Sequence, residues 1–202
     1  WKGMDGEDAT NAITCNVFQG SGYQNKKWGT ERKVADTFEG YDFPIIRYAE
    51  VLLNYAEAMY ELGTTGKALD DALNISLNLV RLRVNPDMPK LTTSFVSENN
   101  LNMREEIRRE RTIELYNEGF RIDDLKRWNT AIVEMPKPIL GVKWTGTDFA
   151  TSWAGASNMA KDSDGCLILE NSRRWGSKND LYPLPVDQCQ LNPNLGQNPG
   201  WQ

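Results

Sequence analysis

The chain has 202 residues, 40% of them hydrophobic and 25% charged, which is the profile of a folded globular chain rather than a disordered one. A net charge of −5 argues against a nucleic-acid groove as its main purpose. Histidine is absent, which removes the usual metal ligand and general base and weakens any hydrolase reading built on a Ser-His or Cys-His pair.

Residues 1–42 are rich in Gly, Asn, Asp and Thr and read as an irregular lead-in of loop or hairpin. Within it, Asn25-Lys26-Lys27-Trp28 either offers a stacking ring beside donors or packs its indole under a loop. Pro44 suits the first turn of a helix predicted to run to Leu62. Ile45, Ala49, Leu52, Ala56 and Met59 line one side of it, and Tyr48, Val51, Tyr55 and Leu62 extend the apolar surface. Arg47, Glu50, Asn54, Glu57 and Glu61 leave only a narrow polar stripe, so the helix must be sandwiched between neighbours. Gly63-Thr64-Thr65-Gly66 turns the chain into a second helix over 67–83, with Leu69, Ala72, Leu73, Ser76, Leu79 and Val80 inward. The pair looks like a tetratricopeptide unit, with Tyr55, Gly63 and Ala68 at the corresponding places. Such a unit cannot bury its face alone, and with one repeat present the others are expected upstream.

Asn85-Pro86-Asp87 and Pro89 end the hairpin, and a polar linker follows. Residues 102–118 contain no proline or glycine and predict a helix, with Gly119 as the left-handed residue that ends it. Asp123 or Asp124 then caps or charges the next helix, which runs through Leu125 to Trp128. Ile107, Glu110, Arg111, Glu114 and Glu118 share one face. That face is either solvated, with intrahelix pairs worth about 0.2–0.5 kcal/mol each, or a partly buried network. In the second reading Arg121 or Arg127 folds back onto the carboxylates and Trp128 is substantially buried. A buried network fixes geometry more reliably than it adds stability, because desolvation offsets much of the attraction.

After Trp128, Met135-Pro136-Lys137-Pro138 opens an irregular region that continues to Asp180, with short strands predicted at 139–144 and 166–170. The tail is punctuated by Pro183, Pro185, Pro193 and Pro199. Pro183-Leu184-Pro185 must be extended, and 186–190 can make one helical turn.

The run ERTIELYNEGFRIDDLKRW, from Glu110 to Trp128, closely resembles the ER-x-x-EL-x-x-EG-x-R-x-x-DL-x-RW pattern in the C-terminal half of the SusD/RagB family. Those proteins are outer-membrane nutrient-binding lipoproteins of the Bacteroidota. Glu110, Arg111, Glu114, Glu118, Gly119, Arg121, Asp124, Arg127 and Trp128 carry the match as structural positions. RYAEVLLNYAEAMYELG at 47–63 and YPLPVDQCQLNPNLGQNPGW at 182–201 agree with the same family in the expected order. The resemblance implies that 1–202 is the C-terminal portion of a single SusD-like domain. Its parts are the lead-in (1–42), a helical core (43–128), a loop and β region (129–180) and a tail (181–202) that packs back on the helical body with its terminal aromatic buried. The start at Trp1, with no signal peptide, reads as a fragment whose N-terminal part is absent. The expected fold is therefore mainly α: tetratricopeptide-like helical hairpins, a small irregular or β region and an extended Pro-rich tail.

Trp144, Trp153 and Trp175 lie in the irregular region among Asp148, Asn158, Asp162, Asp164 and Arg173. Indoles beside short polar side chains suit a sugar platform, ring face to pyranose and polar groups to hydroxyls; equally, they anchor a long loop. Trp144, Trp153, Trp175 and Asp148 are the candidate ligand residues, with Trp144 or Trp153 foremost, although in the resembling family much of the ligand surface comes from sequence upstream. Asp162-Ser163-Asp164-Gly165 begins a calcium-loop pattern without its remaining ligands and reads as a turn. Glu110 and Glu114 stand one helical turn apart among arginines, which favours structural pairing over a glycosidase acid and base. Cys15, Cys166 and Cys189 have no metal-type spacing; they read as isolated thiols, or as one bridged pair in an extracytoplasmic setting.

No metal, cofactor or catalytic residue is expected. The resemblance implies non-catalytic capture of an oligosaccharide at the extracellular face of the outer membrane, followed by passage to a TonB-dependent SusC-like transporter. Membrane attachment would come through an N-terminal lipid anchor outside this sequence. Two other classes remain open: peptide capture of the RagB kind, and a tetratricopeptide-like scaffold for a protein partner. A glycoside hydrolase would require two carboxylates facing an open cleft about 5–9.5 Å apart.

Overall fold

The computed structural model describes residues 21–23, 27, 44–152 and 154–201. The chain divides into two compact units, Glu39–Arg121 and a second built from Trp1–Phe38 with Ile122–Gln202.

The unit Glu39–Arg121 is helical. Its helices are α1 (Tyr48–Glu61), α2 (Gly66–Asn74), α3 (Leu77–Val84), α4 (Thr93–Glu98) and α5 (Met103–Glu114). Helix α1 begins later than Pro44 suggests, because Arg47 is still extended (φ −112°, ψ 146°). Leu53, Ala56, Leu69, Leu73, Leu77, Val80, Leu91, Met103, Ile107 and Leu115 form one core. The second helix of the hairpin is broken in two. The Ser76 hydroxyl donates to the Ala72 carbonyl at 2.6 Å, a local bond that competes with the helix ladder, and Ser76 leaves the helical region (φ −136°, ψ −98°). The break turns Leu77, Asn78 and Arg81 inward and leaves Leu79 half exposed, against the inward position its spacing predicts. Nor is the linker structureless. Helix α4 forms in it, with Thr92 accepting from the Phe95 N–H and Asp70 accepting from both the N–H and the hydroxyl of Thr93.

Helix α5 is capped by Asn102, whose side chain accepts from the Glu105 N–H. It ends at Glu114, short of the predicted Glu118, and the chain unwinds through Asn117 (φ 59°) to Gly119, whose φ of 88° is the left-handed conformation expected there. The acidic face is partly buried and paired, as the second reading of the sequence required. Its cations, however, come from Arg47, just before α1, and from α3. Arg47 meets Glu118 through Nε at 2.8 Å and Nη2 at 2.6 Å, and reaches Glu114 at 2.9 Å. Arg83 approaches both Glu114 oxygens at 2.9 Å, and Arg81 stands 3.4 Å from Glu110. Arg111 is buried and donates to Asn54 at 2.8 Å, with Phe120 stacked 5.5 Å from its guanidinium. Arg121 instead donates to the Thr112 hydroxyl, and Arg127 pairs with Asp124 on its own helix. Because α5 stops early, Glu118 sits in the turn beyond it, beside the entry to α1.

The Glu118 carboxylate holds Arg47 well above the usual guanidinium range. Glu110 moves the other way. Burial raises its carboxyl pKa, and the long contact with Arg81 does not offset that. The Arg81 Nε is buried without a hydrogen-bond partner, consistent with a loosely made pair.

The second unit contains nearly all of α6 (Arg121–Arg127), followed by α7 (Ala131–Glu134). Asp123 and Asp124 lie in the first turn of α6, where the helix dipole favours them. Trp128 is half-buried, less than predicted, with the Arg127 guanidinium 4.9 Å from its ring. Strands β1 (Ile139–Lys143) and β2 (Cys166–Glu170) pair antiparallel with two register shifts, close to their predicted positions. Between them lie α8 (Phe149–Ser152) and a 3-10 turn at Ala154–Ala156. Val142, Ala156 and Leu167 make a small core, joined by Trp144, Phe149, Met159 and Leu169. Gly141 is required there, since a Cβ would come within 2.8 Å of the Ser21 carbonyl. A second 3-10 turn, Ser177–Asp180, leads to α9 (Val186–Leu191), the predicted turn of helix in the tail. Among the described residues no helix is long and apolar enough to cross a membrane.

Candidate ligand surface

Trp144 follows β1, and its N–H donates to the Gly165 carbonyl at 2.8 Å. Its ring packs on the small core, with the Lys161 ammonium 4.4 Å from its centroid. Lys161 is fixed in turn by the carbonyls of Ala156, Ser157 and Met159. This geometry suits an indole that anchors a loop. Asp148 is exposed in the same loop, at the start of α8. Asp162 accepts from the N–H groups of Asp164 and Cys166, which is the work of a turn residue. Cys166 and Cys189 are free thiols. Trp153, Trp28 and Cys15 lie outside the described residues.

Trp175 stands elsewhere, between β2 and the tail. Its indole N–H donates to the Asp180 carboxylate at 2.9 Å, which sets the ring orientation. The Lys126 ammonium of α6 lies 5.8 Å from the Trp175 centroid and 3.9 Å from that of Tyr182. Tyr182 is 71% exposed. Lys126 and Tyr182 were not among the candidates read from the sequence. Both sit inside the family-like motifs, yet nothing in either motif shows that a lysine of one meets the tyrosine of the other.

The segment that presents Tyr182 is held by side chains in place of a strand partner. Pro183 and Pro185 have no N–H to donate, and between them the Gln197 carboxamide accepts from the Leu184 N–H at 2.7 Å and donates to its carbonyl at 2.8 Å. Asn198 donates to the Tyr182 carbonyl at 2.6 Å. Trp201 is half-buried, its indole N–H shared between the carbonyls of Lys178 and Leu181. Folding of the tail on itself thus fixes the position of Tyr182 beside Trp175.

A model of the SusD family matches residues 2–201 of the chain. Among solved structures, a SusD-like carbohydrate binding protein from Bacteroides fragilis NCTC 9343 is similar at 31% identity, covering 76% of this chain and 28% of that one, with a TM-score of 0.59. A SusD-like protein from the same organism is similar at 30% identity, covering 77% of this chain and 25% of that one, with a TM-score of 0.53. The chain therefore spans about a quarter of the length of the solved proteins it matches. Among curated proteins nothing matches.

Proposed function

This chain belongs to the SusD family, and on that premise we propose that it is part of a non-catalytic glycan-binding protein of the cell surface. The observation that carries the proposal is the likeness, at 31% identity over 76% of this chain, to a SusD-like carbohydrate binding protein. The protein would capture oligosaccharide at the extracellular face of the outer membrane, held there by a lipid anchor, and pass it to a TonB-dependent SusC-like transporter. The anchor and the transporter are implied by the family resemblance alone.

On this reading 1–202 is the C-terminal portion of a longer SusD-like domain. Helix α1 supports it. Leu53 and Ala56 face the core, while Tyr48, Val51, Tyr55 and Leu62 form a second apolar stripe that is exposed. A helix apolar on two sides needs a neighbour on each, and further helices upstream would cover the second side.

For ligand contact, Trp175 with Tyr182 is better placed than Trp144, whose ring is engaged with the small core and Lys161. Glu110, Glu114 and Glu118 serve pairing with Arg47, Arg81 and Arg83, so no general acid and base are assigned. The test is calorimetry of the full-length protein against a panel of polysaccharides and peptides, with reducing ends assayed in parallel. Saturable binding of a glycan without release of reducing ends supports the proposal. Binding of peptides alone would transfer it to peptide capture, and hydrolysis would overturn the non-catalytic assignment.

A further inference from the structure

Lys126 is half-buried between two aromatic rings, and among the described residues it makes no ion pair. Ammonium groups on protein surfaces ordinarily reach solvent or a carboxylate. This one is held 3.9 Å from the Tyr182 ring and 5.8 Å from that of Trp175. The nearby acid, Asp180, is committed to the Trp175 indole N–H and lies beyond ion-pair distance of Lys126. Next in the chain to Trp175, Arg173 and Arg174 donate only to backbone carbonyls, at Lys137, Asn171 and Arg173. The result is an ammonium with no ion-pair partner among the described residues, beside an exposed ring on a segment that the tail holds in place. A ring face takes the C–H face of a sugar. An ammonium, a compact charge with three rotatable donors, takes an anionic oxygen.

We propose that Lys126, Trp175 and Tyr182 form a subsite for an acidic sugar, whose anionic group meets the Lys126 ammonium while the pyranose packs beside it against the exposed Tyr182 side chain. The proposal rests on the glycan-binding reading above and names the ligand class within it. Hexuronates and sulfated sugars share the required chemistry.

The test is calorimetry of the full-length protein with an oligogalacturonate, with the same oligosaccharide after its carboxyl groups are reduced to alcohols, and with a sulfated galactan. One charge-assisted contact should make the acidic ligand bind about tenfold tighter than the reduced one, with the preference shrinking as salt is raised. The sulfated arm identifies which anion the site takes. Lys126→Gln should abolish the preference, and Lys126→Arg should retain much of it. Tyr182→Ala, at an exposed position, should weaken both ligands together. Equal affinity of the wild type for acidic and neutral forms, or a preference that survives Lys126→Gln, would overturn the subsite and leave the glycan-binding reading standing. Absence of binding to any glycan would remove both.

Discussion

The Asn78 carboxamide closes on both backbone polar groups of Leu91, accepting from its N–H at 2.7 Å and donating to its carbonyl at 2.9 Å. Both residues are fully buried. Gln197 does the same for Leu184 in the other unit. In each case an amide side chain stands in for the strand that would otherwise satisfy an extended segment. Asn78→Ala would orphan two buried groups of Leu91 and should cost about 2–4 kcal/mol of stability by chemical denaturation. A loss below about 0.5 kcal/mol, the scale of ordinary surface changes, would contradict this account of Leu91.

Arg47 ties the entry of α1 to the turn after α5. Removing it leaves the Glu118 and Glu114 side chains, 7% and 11% exposed, short of a shared cation. Arg47→Met should destabilise the protein by about 3 kcal/mol. Arg47→Lys should recover only part of that loss, because an ammonium cannot reproduce the forked contact with Glu118. Equal melting temperatures for wild type and the lysine variant would show that the fork is not needed.

Glu110 gives a pH signature of definite sign. Its carboxyl is raised above the ordinary 4.5 chiefly by burial, so the native state binds its proton more tightly than the unfolded state does. That term therefore favours folding as pH falls through the raised pKa, and the advantage is lost as pH rises above it. The stability of wild type relative to Glu110→Gln should accordingly decline with rising pH in the window above 4.5. A difference that grows with pH there would mean that attraction to Arg81 outweighs burial.

Local patterns in the sequence identified the elements better than their partners. The glycine-free run into Gly119, the strands at 139–143 and 166–170 and the helical turn after Pro185 are each encoded by neighbouring residues, and each forms. The break at Ser76 was not legible from hydrophobic spacing, because it depends on one hydroxyl-to-carbonyl bond that re-phases the following helix. The acidic face of α5 was legible as a network. Its cations were not, since Arg47 lies 71 residues from Glu118 and no local motif links them. The ligand surface shows the same limit. Trp175 could be singled out as an indole among polar residues, whereas Lys126 gains its meaning only when the tail brings Tyr182 over it.

The most direct measurement for the account as a whole is the affinity of wild-type and Trp175→Ala full-length protein for a polysaccharide that the wild type binds in calorimetry. Loss of one large aromatic contact should weaken binding by about 1–3 kcal/mol, with circular dichroism unchanged. A wild-type protein that binds none of a broad glycan panel, or a variant that binds as tightly as the wild type, would contradict the assignment of glycan capture to this surface.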